Sequence, residues 1–425
     1  MLAFAGLALT GCSSSPASAA NVGTADGVVT ISGSLTGTDA ARLRQSWASW
    51  ASTNHIKIVY TGTQNFEEQI GGQAQQGNAP DLAIFEQPGL IKDLATRGYL
   101  KANAPVVETN VKNNFTPQWG SYTTVGSTNY ASPLLATLKG WVWYSPKQFA
   151  AWGVKVPKTW SDLYLLTQEI QAKTSTAPWC EGFSSDATSG AAGTDWIEDM
   201  VLRQDGPTVY DQWVTHKIPF SDPRIKMAFD DVAEVLLDAN YVNAGAGGVA
   251  SIDTSTQASV AKALESGACA LTHQPSSFDG ALHGTGSAVN VSPTGDYWAF
   301  MMPPFSAGST PVVGGGEFVA AFSNDADTIK VEQYLSSTPW ASSRVSIGGV
   351  ISPNGGISPS AASSPLLSES IELLNSPKTT FRFDASDLMP SIVGSGSFLT
   401  GMVDWIKGTP TKKVLSEIDA SWPTD

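Results

Sequence analysis

The first part of the chain alternates between short apolar runs and segments in which apolar residues have helical spacing. Residues 28–32, 56–60 and 81–85 are short and largely apolar, which is typical of buried strands. Between the first two runs, Leu43 and Trp47 fall on one face of a predicted helix. An alternation of strands and helices predicts a mostly parallel sheet that helices cover on both faces.

A second alternating block begins with the aromatic run at 141–144. Further strands are expected at 269–273, 297–301 and 317–322. Because 425 residues exceed what one hydrophobic core usually serves, the two blocks predict an α/β fold of two lobes. Helices are predicted at 160–170, 195–203, 207–214, 223–239, 256–265, 325–336, 365–374, 398–406 and 410–420.

The amino-acid composition restricts the classes of molecule that this protein can bind. Charged residues make up 15% of the chain and the net charge is −14. An acidic protein is unsuited to nucleic acid, whose phosphates need a basic surface, and to adsorption on anionic lipid. Tryptophan, with 14 residues, suits both core packing and stacking against a ligand. The following lie on apolar helix faces and are expected in the core: Trp47, Trp50, Trp160, Trp213 and Trp405.

The N-terminal segment contains the run Leu9-Thr10-Gly11-Cys12, between an apolar stretch and small polar residues. This order is typical of a bacterial lipobox: residues 1–11 are the signal peptide, Cys12 is lipidated, and 12–27 form a flexible tether. The alternative is an ordinary signal peptide that ends near a buried cysteine. The lipobox predicts a protein held by lipid alone on the outer face of the bacterial cytoplasmic membrane, because a span needs about 20 apolar residues.

Two further cysteines, Cys180 and Cys269, are expected to form a disulfide in an exported protein. The rival interpretation is a metal site, because Cys269 and His273 are four residues apart. The chain has only 4 His, and this pair has a strand-like setting. We therefore predict neither a metal nor another cofactor.

Four segments carry a more specific signal. They are Y-A-S-P at 130–133 leading into V-W-Y-S-P at 142–146, V-P-K-T-W-S-D-L at 156–163, T-D-W-I-E-D at 194–199, and F-R-F-D-A-S-D-L-M-P at 381–390. Together they resemble the extracellular solute-binding proteins of ABC sugar importers, the group that includes maltose- and α-glucoside-binding proteins. The last two segments are more similar to the α-glucoside branch.

This resemblance implies a two-lobed fold of the periplasmic-binding-protein type II, in which each lobe is a sheet flanked by helices and the ligand lies in the cleft. The chain is expected to cross between lobes three times, with the hinge near Leu138 and Phe300, and to close around the ligand. Lobe 1 is expected at 28–137 and 300–336, and lobe 2 at 138–299 and 337–425.

A sugar site needs aromatic rings for the C–H faces and polar side chains for the hydroxyls. An open α/β sheet presents such groups after the carboxyl ends of its strands. Each candidate in the first lobe or hinge also has a simpler interpretation. Ser34 and Thr36 are candidates, although their loop could be a plain turn; Glu86 and Gln87 are candidates, although Glu86 could be only a helix cap. Lys139 is a candidate, although it could be a solvated charge. Gly315, Gly316 and Glu317 are candidates, although this segment could be a bulge or a tight hairpin.

The candidates in the second lobe depend more on the resemblance. Ser276 and Ser277 stand where relatives often carry a stacking aromatic, which weakens the inherited role of that loop. The candidates are Glu181 and Phe183, Asp195 and Trp196 (or an N-cap and a core residue), His273, Gln274 and Phe278, and, by resemblance alone, Gly348, Gly349 and Phe398.

These features predict a monomeric binding protein without enzymatic activity, which captures a small oligosaccharide, an α-glucoside by resemblance, and delivers it to an ABC permease. One alternative is an exported glycoside hydrolase, which would need a carboxyl pair about 5–10 Å apart. The other is the same fold with a peptide, an anion or an iron complex as ligand. Common catalytic motifs, such as Gly-x-Ser-x-Gly and the Walker loop, are absent from the sequence.

Overall fold

The structure, a computed structural model, describes residues 25–286 and 288–423. The predicted signal peptide, the lipidation at Cys12 and tether residues 12–24 lie outside the described residues. In the part of the chain that is described, no helix is long and apolar enough to cross a membrane.

In residues 25–286 and 288–423, twelve strands form a large sheet, a small sheet and a separate two-stranded hairpin. In chain order they are β1 (Val28–Gly33), β2 (Lys57–Gly62), β3 (Leu82–Phe85), β4 (Thr124–Val125), β5 (Thr128–Asn129), β6 (Ala131–Leu138), β7 (Trp141–Tyr144), β8 (Ala177–Trp179), β9 (Cys269–Gln274), β10 (Trp298–Met301), β11 (Thr310–Ala321) and β12 (Thr379–Phe383).

The α-helices cover both sheets. They are α1 (Gly37–Thr53), α2 (Phe66–Gln75), α3 (Pro88–Thr96), α4 (Pro105–Asn114), α5 (Pro117–Ser121), α6 (Pro146–Trp152), α7 (Trp160–Lys173), α8 (Ala191–Val214), α9 (Pro223–Leu236), α10 (Gln257–Glu265), α11 (Phe278–His283), α12 (Ala326–Leu335), α13 (Thr338–Ile347), α14 (Pro365–Asn375), α15 (Ala385–Leu388), α16 (Leu399–Ile406) and α17 (Thr411–Ala420), and a π-helical turn spans Ile392–Phe398.

The large sheet has the strand order β12-β11-β3-β1-β2, and β6 also pairs with β11. The pairs β1–β2 and β1–β3 are parallel, which confirms the sheet predicted from the first alternating block. The small sheet has the order β10-β7-β9-β8. The two sheets with their helices confirm the two-lobed α/β fold.

Strand β6 shows why the apolar pattern alone missed an element. It contains Pro133, a residue that interrupts most strands because it lacks an N–H. The register with β11 shifts between Glu317 and Phe318, which pair with Leu135 and Pro133 respectively, so Leu134 is the extra residue of a bulge. The bulge accommodates the proline within a buried strand.

In the described residues, the chain passes from one lobe to the other at three places. The first passage is Lys139–Gly140, between β6 and β7, and the second follows β10, where the Met302 N–H donates to the Gly140 carbonyl over 2.7 Å. The third lies at Asp384, directly after β12. Gly140 has a φ of +80°, and a Cβ there would overlap the Asp199 carboxylate, so this passage requires glycine.

The predicted lobe boundaries need a correction after β11. The sequence predicts that residues 337–425 all belong to lobe 2, but β12 pairs in parallel with β11 in the large sheet. The α13 residue Trp340 likewise donates its indole N–H to Ser46 Oγ on α1 over 3.0 Å. Phe300 and Met301, assigned to lobe 1, still pair with β7 in the small sheet. The error arose because β12 is short and was not recognised as a strand.

The predicted disulfide is confirmed between Cys180 and Cys269, 89 residues apart in the chain. It joins the end of β8 to the start of β9, and these strands are also paired in parallel. The bond therefore closes a long loop that contains helices α8, α9 and α10.

We expect the double change Cys180→Ala and Cys269→Ala to lower the free energy of unfolding by about 2–4 kcal/mol, because the unfolded chain gains the entropy of the released loop. Urea unfolding under oxidising conditions measures this loss. Dithiothreitol should lower the stability of the original protein to that of the variant, whereas equal midpoints for the oxidised protein and the variant would contradict the prediction.

Candidate functional site

A cavity of about 600 Å³ lies between the loops at the carboxyl ends of the large sheet and the segments around α8, α15 and the π-helical turn. Its size falls within the range of about 300–1,000 Å³ that is usual for small-molecule pockets. It is lined on the large-sheet side and at the first passage by Ser34, Gln64, Glu67, Glu68, Glu86, Gln87 and Lys139, and opposite them by Ser185, Asp186, Thr188, Ala191, Asp384, Ser386, Asp387, Ser391, Ile392, Gly394, Ser395 and Leu399.

Lys139 lies at the base of this cavity. Its ammonium donates to Asp195 Oδ1 on α8 over 2.7 Å and also contacts Asp384 Oδ2 at the third passage. The exposed fractions of the three side chains are 17%, 8% and 1%, so the ion pairs are largely shielded from solvent. The alternative of a solvated surface charge is wrong for Lys139.

The ionisation of this cluster follows from burial and mutual attraction. Burial alone would lower the pKa of Lys139, but Asp195 and Asp384 outweigh it and hold that pKa well above its ordinary value. Burial likewise acts to raise the pKa of Asp384, yet Lys139 keeps it below the usual range. For Asp195, burial prevails over the attraction of Lys139 and raises the pKa to about 6.

On the large-sheet side, Glu86 follows β3 and accepts a hydrogen bond of 2.7 Å from Ser34 Oγ in the loop after β1. The backbone N–H of Glu86 donates to Glu67 Oε1 on α2 over 2.9 Å. Burial, followed by the Glu86 charge, raises the pKa of Glu67 to about 8. Glu67 and Glu86 thus share a hydrogen-bond network that directs both carboxyl groups to the cavity wall.

Gln87 connects the two walls of the cavity. Its Nε2 donates to Ser395 Oγ over 2.6 Å, and Ser391 Oγ donates to its Oε1 over 3.4 Å. Both serines lie in or beside the π-helical turn, a local geometry often found at functional sites. The side-chain amide therefore bridges the large-sheet loop and the opposite segment across the cleft.

The cavity wall is acidic and contains no aromatic residue among those that the structure describes. Six carboxyl residues line it, namely Glu67, Glu68, Glu86, Asp186, Asp384 and Asp387, against one cationic residue, Lys139. Apolar contact comes from Ala191, from Leu399 and from Ile392, which is 63% exposed. The prediction of aromatic rings in this cleft is wrong.

The predicted aromatic contacts are buried in the core instead. Phe183, Trp196, Phe278 and Phe398 are each at most 1% exposed. The Trp196 ring lies against Trp179 and His273, with ring centroids 5.3 and 4.6 Å away. The simpler interpretation of Trp196 as a core residue is the one that the structure supports.

Three polar candidates of the small sheet support the strand β9 rather than the cavity. The carboxylate of Glu181 accepts the backbone N–H of His273 over 2.7 Å, and His273 Nε2 lies 2.8 Å from Asp199 Oδ2. Gln274 Oε1 accepts from Gln257 Nε2 over 3.1 Å. All three candidates are at most 3% exposed, and none lines the cavity.

In the glycine-rich part of β11, only Gly315 lies beside the ionic cluster at the base of the cavity. A Cβ on Gly315 would lie 3.5 Å from Lys139 Cε and 3.8 Å from Asp387 Oδ2, so its backbone borders the ionic cluster. Gly316 packs against the Leu135 carbonyl at the bulge, which agrees with the simpler interpretation. Glu317 is 8% exposed, and burial, followed by Glu86, raises its pKa to about 8.

The remaining candidates lie away from the cavity wall. Thr36 is exposed at the N-cap of α1 and makes no side-chain capping bond. Gly348 and Gly349 have φ values of +98° and +82° and end α13 near Arg42. For these residues, ligand contact is unsupported by the cavity geometry.

Sequence reasoning missed most of the opposite wall. Asp384 and Asp387 lie in the F-D-A-S-D-L-M-P segment, which served as a family signal but not as a source of site residues. The two acidic residues three apart, directly after a β-branched and aromatic run, could have indicated a strand end with polar side chains. The serines of the π-helical turn carry no comparable signal.

One group of carboxyl residues in the described part of the chain is compact enough to hold a cation. Carboxylate oxygens of Asp195, Glu198 and Asp384 lie within 4.8 Å of one another. The Lys139 ammonium already contacts two of the three. A side-chain ammonium group thus already pairs with two of these carboxylates.

The fold and the cleft define a class: two-lobed receptors that hold a small solute between their lobes. Residues 38–335 match the model of the family of bacterial extracellular solute-binding proteins, and the chain belongs to this family. Its members serve as non-enzymatic components of ABC importers, in which they bind a solute and deliver it to the permease.

Two curated relatives span nearly the whole chain. The osmoprotective compounds-binding protein GgtB of Synechocystis sp. is 32% identical over 402 residues, with 93% of this chain and 92% of GgtB covered. The α-glucosides-binding periplasmic protein AglE of Rhizobium meliloti is 32% identical over 407 residues, with 93% and 86% covered. Among solved structures, the bacterial solute receptor AcbH aligns with a TM-score of 0.77 at 17% identity, covering 92% of this chain and 97% of AcbH.

We expect Lys139→Met to lower the free energy of unfolding by about 3–5 kcal/mol at pH 7, because it leaves the buried Asp195 and Asp384 carboxylates without a counter-charge. At about pH 5 the loss should shrink, since Asp195 takes up a proton. Urea unfolding at both pH values measures the difference.

The matched control is Lys147→Met. Lys147 also pairs with an aspartate, Asp296, but the exposed fractions of the two side chains are 68% and 38%. An exposed pair of this kind contributes about 1 kcal/mol at most. Equal losses for the two lysine variants would contradict the buried role of Lys139.

The buried Glu67 carboxyl predicts a pH-dependent stability. Its pKa is raised from 4.5 to about 8, so the folded state holds the proton more tightly than the unfolded chain does. The stabilisation is fully present below the unfolded pKa and is lost as the pH rises through the folded pKa. We expect Glu67→Gln to raise the free energy of unfolding by about 1 kcal/mol or more at pH 8.5 and to change it little at pH 5.

Denaturant unfolding at the two pH values tests this, with Glu68→Gln as the control. Glu68 is the exposed neighbour of Glu67 on the same helix. The control should leave the pH dependence of stability unchanged. A Glu67→Gln variant with the same pH dependence as the original protein would show that the Glu67 carboxyl is not protonated on folding.

Proposed function

We propose that this protein captures a small α-glucoside in the cavity between its lobes, and that closure of the lobes carries the sugar to the permease of an ABC importer. The supporting observation is the cavity itself, whose carboxylate, amide, hydroxyl and ammonium groups converge from both lobes. Such groups bind the hydroxyls of a sugar through charge-assisted hydrogen bonds. The name of the relative AglE, at 32% identity, supports an α-glucoside as the sugar.

The geometry favours a compact ligand. A long oligosaccharide is usually held on aromatic rings that cover its C–H faces, whereas this wall offers Ala191, Ile392 and Leu399 for apolar contact. The Gln87–Ser395 hydrogen bond also limits the space across the cleft. We therefore propose a disaccharide or a similarly small glucoside as the ligand.

Further parts of the proposal concern the cell surface. Attachment through a lipid on Cys12, a monomeric state and location on the outer face of the cytoplasmic membrane remain proposals from the N-terminal motif and the family. The contacts with the permease would be made by the rims of both lobes when they are closed. These parts are independent of the choice of solute.

A second candidate ligand is a small polar solute other than a sugar. The observation that favours it is the excess of carboxyl residues on the cavity wall, six against one lysine. Such a wall attracts a ligand that carries positive charge. The name of the relative GgtB, which refers to osmoprotective compounds, is compatible with either candidate.

A thermal-shift screen followed by calorimetric titration distinguishes the candidates. The solutes are trehalose, sucrose, maltose, maltotriose and, as a cationic solute without a sugar ring, choline. A solute at 100 times its Kd should stabilise the protein by about 2.7 kcal/mol. Binding of a disaccharide supports the proposal, binding of choline alone supports the second candidate, and no stabilisation by any sugar contradicts the first.

Within the same experiment, we expect Glu86→Ala to raise the Kd of the bound disaccharide by about tenfold or more, because it removes a charged hydrogen-bond acceptor from the wall. The control is Glu169→Ala on α7, which removes an exposed glutamate paired with Lys173. The control should bind like the original protein. Equal Kd values for both variants would show that Glu86 does not contact the ligand.

A further inference from the structure

Helix α8 carries buried ionisable side chains on successive turns of its first half. They are Asp195, Glu198, Asp199 and Arg203, each at most 7% exposed. Spacings of three and four residues place these side chains along one face of a helix. Charges are rarely buried without partners, so each needs a specific contact on the elements that face α8.

Glu198 holds the start of the segment that follows β12. Its Oε2 accepts the backbone N–H of Ala385 over 2.9 Å, and its Oε1 accepts that of Ser386 over 3.1 Å. Tyr210, on the second part of α8, donates to the Phe383 carbonyl over 3.0 Å and lies 3.4 Å from Glu198 Oε2. Both carboxyl oxygens of Glu198 are therefore engaged with the backbone of one short turn.

This turn presents two carboxylates to the cavity. Asp384 contacts Lys139 through Oδ2, while its Oδ1 accepts Ser386 Oγ over 2.6 Å and the Asp387 N–H over 3.0 Å. Asp384 and Asp387 both line the cavity, whereas Glu198 does not. The orientation of the two aspartates thus depends on the backbone that Glu198 holds.

The other charged residues of α8 contact the remaining two passages between the lobes. Arg203 donates from Nε to the Met302 carbonyl over 3.0 Å and from Nη2 to the Pro311 carbonyl over 3.2 Å, on the second passage and the start of β11. Asp199 borders Gly140 on the first passage. One helix face therefore supports all three passages, and Glu198 is its contact with the third.

We propose that Glu198 is a positioning residue of the binding site: it orients Asp384 and Asp387 toward the solute by holding the backbone at Ala385 and Ser386. The proposal rests on the proposed function for its effect on affinity, but not for its effect on the turn. Glu198 acts through the two aspartates and makes no contact with the ligand. A near-isosteric amide at this position would turn an NH2 group toward one of the two backbone N–H donors and weaken that contact.

The test compares Glu198→Gln with Glu332→Gln. Glu332 on α12 is an equally buried glutamate, 1% exposed, and lies away from the cavity wall. The first measurement is amide hydrogen exchange of residues 384–388 without ligand. We expect faster exchange of these amides in Glu198→Gln and unchanged exchange in Glu332→Gln.

The second measurement is the Kd for trehalose, sucrose and maltose in a double-mutant cycle with Asp387→Asn. We expect Glu198→Gln to raise the Kd about tenfold, and to have a much smaller effect when Asp387 is already changed, because the two residues act through one turn. A purely structural role would give additive effects on Kd. The proposal would be overturned by additive effects on Kd, or by a Kd in Glu198→Gln equal to that of the original protein.

The two measurements separate this proposal from the proposed function. If the original protein binds none of the three sugars, the proposed function fails, while hydrogen exchange still tests the role of Glu198 at the turn. If the sugars bind but the exchange of residues 384–388 is the same in both variants, the positioning role is overturned and the proposed function stands.

Discussion

The interaction on which the site depends is the contact of the Lys139 ammonium with the carboxylates of Asp195 and Asp384. Lys139 belongs to the first passage between the lobes, Asp195 to α8, and Asp384 to the third passage. Burial makes each of these charges unfavourable alone, so the three groups are stable only together. Because they come from separate parts of the chain, their pairing fixes the base of the cavity and joins the passages that any lobe movement must bend.

The distribution of aromatic residues explains the character of the cleft. Trp196, Phe183 and Phe398 fill the core behind the cavity, where they bury large apolar surfaces and pack against other rings. The wall is left to carboxylates, an amide, serines and one ammonium group. Recognition on such a wall depends on directional hydrogen bonds more than on apolar area, which favours a small ligand with many polar groups.

The passages between the lobes combine a glycine in a restricted backbone conformation with buried charged side chains. Gly140 has a backbone conformation that other residues adopt poorly, and its lack of a Cβ leaves room for the Asp199 carboxylate. Asp199 in turn is held by Arg203, whose guanidinium reaches the backbone at Met302 and Pro311. Charged side chains of one helix thus hold the small-sheet side of the passages.

Elements with local sequence signals could be predicted without the structure. Apolar runs predicted β1, β2 and β3, the helical spacing of apolar residues predicted α7, and the expectation of an exported protein predicted the Cys180–Cys269 bond. The sequence also indicated the family and the places of Glu86, Gln87 and Lys139. Only the tertiary structure placed β12 in the large sheet, buried Trp196 and Phe398, and brought Asp384 to Lys139, 245 residues away in the chain. Whether an aromatic or acidic side chain faces a core or a cavity depends on which distant segments pack against it, and no local pattern contains that information.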